Sequence, residues 1–137
     1  MTKSNVYHAI LTSKLKYPDI VFAQAMLESG DLGSKLTKTN NNVFGMKLPV
    51  KRTTLAVGEL NGHALYFHWL ESVQDYKIYQ EYIIKTRHIK NRYSYIRYLN
   101  RTYSAVHDYS KRLKRVIKEN MDVIKTSRSI QCCDAGS

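Results

Sequence analysis

Apolar positions recur at helical spacing toward both ends of the chain and fall in short runs only in its middle. Val6, Ile10 and Leu11 form a stripe that predicts a short amphipathic helix over 4–15, with Ser4 as its cap. Tyr17-Pro18-Asp19 breaks that pattern and starts a second helix, since proline suits a first turn where its missing N–H would be unpaired anyway. Ile20, Ala23, Gln24, Leu27 and Glu28 then share one face, and Gly30 ends the helix. The polar run 34–42, with Asn40-Asn41-Asn42, suits turns and local side-chain bonding. Val43 to Met46 reads as a short strand. Leu55–Leu60 and Ala64–Phe67 read as two strands joined by Asn61-Gly62, a strong hairpin signal.

From Leu70 the helical period returns. Val73, Tyr76, Ile83 and Ile84 mark one helix. Asn91 is placed to cap a second, carrying Tyr95, Ile96 and Leu99. Asp108 is placed to cap a third, carrying Leu113, Val116 and Ile117. Residues from about 126 to 137 read as a loose tail. The order is helices, a small hairpin, then helices, which makes the fold class α+β and mainly α. With 137 residues, one domain over 1–125 is expected.

The charge adds a constraint on partners. The net charge is +11, and 14 of the 22 Lys and Arg residues lie from Lys77 onward, among most of the tyrosines. Such an excess calls for an anionic partner: nucleic acid, anionic lipid or an acidic wall polymer. No helix-turn-helix or other nucleic-acid signature is present, so nucleic acid ranks last. No apolar run is long enough to span a bilayer. Cys132 and Cys133 are adjacent, a strained geometry for a mutual bond, so no disulfide framework is expected. His8, His63, His68, His88 and His107 show no metal-ligand spacing, and neither a metal nor a cofactor is expected.

Glu28 is the first candidate for chemistry. It ends a helix beside Leu27, where the negative end of the helix dipole disfavours its ionised form. Partial burial would act the same way. A carboxyl kept protonated near neutral pH is what general-acid cleavage of a glycosidic bond needs. By position alone, the ordinary reading of a solvated glutamate is preferred.

The text around Glu28 reverses that preference. AQAMLESGDLGSKL followed by NNNVFGMK resembles the bacterial and phage glucosaminidases of glycoside hydrolase family 73, whose members read A-Q-A-x-x-E-S-G-x-G-x-S-x-L and then N-N-x-F-G-x-K. Ala23, Gln24, Ala25, Glu28, Ser29, Gly30, Ser34 and Leu36 match the first motif, and Asn41, Asn42, Phe44, Gly45 and Lys47 the second. Asp31-Leu32-Gly33 departs from the pattern and lengthens the turn by a residue. TTLAVGELNGHALYFHWLESVQDY is similar to the family's hairpin and following helix, and YSAVHDYSKRLKRVI to its closing segment.

The resemblance, running from about residue 18 to 118, implies a lysozyme-like fold with the hairpin beside a catalytic groove. It implies a peptidoglycan glycan strand as substrate, cut after N-acetylglucosamine. It places Glu28 as general acid, Glu59 as the second carboxylate and Tyr103 at the opening of the closing motif. Glu59 is the only acidic residue between Asp31 and Glu71, and it is either catalytic or solvent-facing. Gln24, Asn42, Phe44 and Tyr109 are the substrate-binding candidates, the alternatives being a structural turn for Asn42, a core aromatic for Phe44 and packing for Tyr109. Two routes stay open: water activated by Glu59, or attack by the substrate's own N-acetyl group with Tyr103 assisting. The basic surface would hold an anionic wall polymer. With no signal peptide or wall-binding repeats visible, a phage lysin released through a holin pore, a virion-associated hydrolase or an excised domain is expected. A non-catalytic wall-binding module with the same fold is the competing reading.

Overall fold

A computed structural model describes residues 1–103 and 107–127. The elements run α1 (Lys3–Thr12), α2 (Pro18–Ser29), α3 (Lys35–Asn40), β1 (Gly58–Leu60), β2 (His63–Leu65), α4 (Trp69–Thr86), α5 (Arg92–Thr102) and α6 (Tyr109–Glu119), and residues 121–127 are helical as well. The expected class holds: mainly helical, with one small antiparallel sheet. Among the described residues, no helix is long and apolar enough to cross a membrane.

α1 begins earlier than expected. Thr2, not Ser4, caps it, because Thr2 and Asn5 close a reciprocal capping box at 3.1 and 3.0 Å. It also ends at Thr12 rather than at 15, where Lys14 turns left-handed at φ 58° and returns Leu15 to the core.

α2 departs from the one-faced expectation. Ile20, Val21, Phe22, Ala23, Gln24, Ala25 and Met26 are all buried, so this helix is covered nearly all round. It packs between α1, where Tyr7 meets Phe22 edge-on at 5.3 Å, and α6. Gly30 ends it left-handed at φ 56°, and Asp31 and Leu32 continue in that region at 55° and 70°. The lengthened turn therefore rests on backbone that is costly for leucine. Ser29 offsets this by accepting the Leu32 N–H on its hydroxyl at 2.9 Å.

The polar run forms more helix than expected: Ser34 caps the six-residue α3 through the Thr37 N–H at 3.1 Å. The three asparagines then tie down the hairpin. The Asn40 amide donates to the Leu60 carbonyl at 2.9 Å, Asn41 to that of Tyr66 at 3.0 Å, and Asn42 to those of Met46 and Ala64 at 2.9 and 3.0 Å.

Val43–Met46 is not a strand. Asn42 Oδ1 accepts the Met46 N–H at 3.1 Å, and Gly45 is left-handed at φ 65°, so the segment closes on itself as a loop. A single backbone bond, Ala64 N–H to the Met46 carbonyl at 3.0 Å, holds it to β2. β1 and β2 pair as Gly58 with Leu65, Glu59 with Ala64 and Leu60 with His63. Asn61 and Gly62 both have positive φ, as a type I′ turn requires. The strands are shorter than the runs that foreshadowed them because their outer ends bond elsewhere: Leu55 to Asp75 and Tyr66 to the Asn40 carbonyl.

Asn91 caps α5 in a second capping box, with Ser94. Asp108 precedes α6 as expected but caps nothing with its side chain, its backbone being left-handed at φ 54°. Of the tail expected over 126–137, residues 126–127 are helical and the rest, with Cys132 and Cys133, lie outside the described residues.

Candidate active site

Phe44 and Tyr76 are buried and stack at 4.2 Å between ring centres. They form the floor of a groove of about 460 Å3. Tyr79, Thr102, Tyr103, the 45–49 segment and Arg52 complete its lining, with the Arg52 guanidinium 5.8 Å over the Tyr79 ring. A cleft of this size lined by aromatic and apolar residues with a few polar groups suits a sugar-sized ligand.

Glu28 stands half-buried in the last turn of α2, next to the groove residue Gly45. Two contacts put it there. A β-carbon on Gly45, a groove residue, would lie 3.5 Å from Glu28 Oε2. On the other side, the Tyr109 hydroxyl donates to Glu28 Oε1 at 3.2 Å. Tyr109 in turn stacks on Tyr103 at 4.7 Å, nearly parallel. Gly45 thus serves twice, in taking a left-handed backbone and in leaving room for the carboxylate. The motif contained it, but nothing in the sequence pattern assigned it this contact.

Burial raises the Glu28 carboxyl above its ordinary value, and the Tyr109 hydrogen bond partly opposes that by favouring the ionised form. The Tyr103 and Tyr109 hydroxyls are pushed up in their turn, by burial first and then by the Glu28 charge. A testable consequence is that Tyr109→Phe removes the opposing bond and raises Glu28 further. If the protonated acid is the working form, the alkaline limb of the pH–rate profile moves to higher pH. A limb that stays in place or moves down would contradict this.

Gln24 is fully buried and both ends of its amide are used internally. It donates to the Tyr103 hydroxyl at 2.9 Å and accepts from that of Tyr76. Tyr76 also bonds Tyr95, whose hydroxyl accepts from Gln80 at 3.2 Å, and Gln80 grips both backbone groups of Lys16 at 2.8 Å. Burial pushes the Tyr95 phenol up to about 12, so it stays a neutral member of this chain. Tyr103 is therefore held by a buried polar network that reaches the α1–α2 connection. Sequence reasoning missed Tyr76, Tyr95 and Gln80 as its members, because one tyrosine among eleven carries no local signal.

Asn42, also buried, spends its amide on the Met46 loop and β2. Glu59 stands apart from the Glu28 cluster, exposed on β1. Its cross-strand partner Ala64 is fully buried, but Glu59 itself is exposed to solvent. Among the described residues, no group of His, Cys, Asp and Glu is arranged to hold a metal ion.

A family model described as Mannosyl-glycoprotein endo-beta-N-acetylglucosaminidase matches residues 5–122. The chain belongs to the glucosaminidase family. It is a glycoside hydrolase of family 73 that acts on peptidoglycan, and its helices and small hairpin form the lysozyme-like fold. No curated protein and no solved structure matches the chain. Within this glucosaminidase the structure brings Gln24, Glu28, Phe44, Tyr103 and Tyr109 together and leaves Glu59 on the hairpin.

Proposed function

We propose that residues 1–125 form a catalytic domain that cuts the glycan strand of peptidoglycan after N-acetylglucosamine, with Glu28 as general acid. The observation that carries this is the half-buried Glu28 carboxyl, raised by burial, at the end of an aromatic groove between Gly45 and Tyr109. Tyr109 donates to Oε1, which leaves Oε2, beside Gly45, to hold the acidic proton.

In the reaction Glu28 gives that proton to the glycosidic oxygen. The bond to the anomeric carbon breaks, its electron pair leaves with the oxygen, and oxocarbenium character develops on the sugar. Glu59 is assigned the second carboxylate, taking a proton from the water that attacks the opposite face. Its exposed position on β1, open to solvent water, supports this. Tyr103, fixed by Gln24, flanks the acid. α6 turns Leu113 and Val116 inward and Lys111, Arg112, Lys114 and Lys118 outward, a basic face that suits an anionic wall polymer.

The test is digestion of purified peptidoglycan, with products read by mass spectrometry and anomeric NMR. Reducing-end N-acetylglucosamine released with inversion is the expected result. Reducing-end N-acetylmuramic acid overturns the bond assignment. Retention replaces Glu59 with the substrate's N-acetyl group. Wall binding with no new reducing ends overturns the catalytic reading altogether.

A further inference from the structure

Beside the groove lies a second basin of about 400 Å3, lined by Arg87, Tyr98, Arg101 and Thr102. The two are joined at two points. Thr102 lines both, and the hydroxyl of Tyr79, in the groove wall, interacts with that of Tyr98, in the basin. Arg87 closes α4 and Arg101 lies in the last turn of α5. Both arginines are exposed, and neither makes an ion pair among the described residues. Cations at helix C-termini complement the dipoles, which accounts for their positions along the helices. It does not account for two guanidinium groups from different helices lining one basin that opens from the groove.

We propose that Arg87 and Arg101 form an anion subsite that takes a carboxylate of the peptide stem borne by the strand in the groove. This rests on the glycan-cleaving reading above and adds a determinant of substrate choice. Stems are attached to alternate sugars of peptidoglycan, so a strand seated in the groove must project a stem out of it. A guanidinium matches a carboxylate with two parallel N–H donors, and two from separate helices fix its direction. Tyr98 offers a flat face to the peptide between them. A carboxylate tethered to the bound strand is held within a stem's length of the groove, and the basin adjoins the groove at Thr102, whereas a polymer phosphate has no fixed distance from it.

The experiment compares wild type with the Arg87→Ala, Arg101→Ala double variant on three substrates: teichoic-acid-free peptidoglycan, the same glycan with its stems removed by an amidase, and wall that retains its teichoic acid. Both side chains are exposed, and unchanged thermal unfolding verifies the fold. Two exposed charge pairs in the upper part of their usual range amount to about a tenfold effect. The expected result is a KM raised about tenfold on stem-bearing, teichoic-acid-free glycan, with kcat little changed and no effect on stemless glycan, as for a contact made equally in ground and transition states. Equal losses on glycan with and without stems, or no loss on either, overturn the subsite. A loss confined to teichoic-acid-bearing wall moves the anion to polymer phosphate and overturns the stem assignment. Wild-type protein inert on all three overturns the hydrolase reading and the subsite with it.

Discussion

Glu28→Gln lowers turnover on purified peptidoglycan by roughly 10²–10⁴-fold, the range for loss of a positioned general acid, while the protein stays folded. The substitution keeps the side chain's shape beside Gly45, and the amide oxygen still accepts from Tyr109. What it removes is the proton. The stability effect has the opposite sign. The folded carboxyl sits above its ordinary value, so the native state binds more protons than the unfolded chain between the two values. Stability therefore falls as pH rises through that window, and above it the ionised group is a net cost. Glutamine cannot ionise, so the variant unfolds at the same temperature as wild type or higher. Reducing-end release and thermal unfolding, run in parallel, check both halves. Wild-type turnover in a folded variant would remove Glu28 from the mechanism.

The second large effect is on stability and lies outside the groove. Asp75 on α4 is completely buried and accepts five hydrogen bonds. Arg52 donates twice at 2.9 and 3.3 Å, Thr54 Oγ1 at 2.9 Å and the Leu55 N–H at 3.0 Å, and the Tyr66 hydroxyl supplies the fifth. This carboxylate pins the 52–55 segment, and with it the base of the hairpin, to α4. Asp75→Ala leaves the buried Arg52 charge without its counter-ion and three further donors without their acceptor, and destabilises the protein by about 3–5 kcal/mol. Arg52 also lines the groove, so activity falls with stability. The pH dependence has a definite sign. Burial alone would raise Asp75, but hydrogen bonds from Arg52, Tyr66 and Leu55 and the Arg52 charge outweigh it and hold the carboxyl below its ordinary value. Its stabilisation is complete above the unfolded value near 4 and is lost as pH falls through the depressed one. Denaturant midpoints for wild type and variant should therefore be well separated at pH 7 and converge in acid. A constant gap would show that the loss is packing rather than charge.

Neither Asp75 nor Arg52 was legible as a pair in the sequence. Their 23-residue separation crosses the hairpin, and no local pattern joins a lone arginine in a loop to a helical aspartate. The same holds for the buried chain from Tyr103 through Gln24 and Tyr76 to Gln80. By contrast, the Asn61-Gly62 turn, the Asn91 cap and the Pro18 and Gly30 limits of α2 were all readable, because each depends on backbone chemistry within a few residues. The strand expected at Val43–Met46 failed for an equally local reason that apolar content does not encode: Asn42 bonds the Met46 N–H and closes a loop.

The sequence by itself determined the family, the mainly helical order of elements and Glu28 as the candidate acid, since motif spacing and helix limits are short-range properties. Tertiary structure decided what surrounds that acid. Burial, the Tyr109 hydroxyl and the space left by Gly45 come from segments 81 and 17 residues away, brought together only by packing on α2. It also decided that Gln24 and Asn42 spend their amides inside the protein and that Glu59 is exposed on the hairpin. Proton affinity and hydrogen-bond partners depend on what desolvates and touches a group, and that follows from the packed fold rather than from neighbours along the chain.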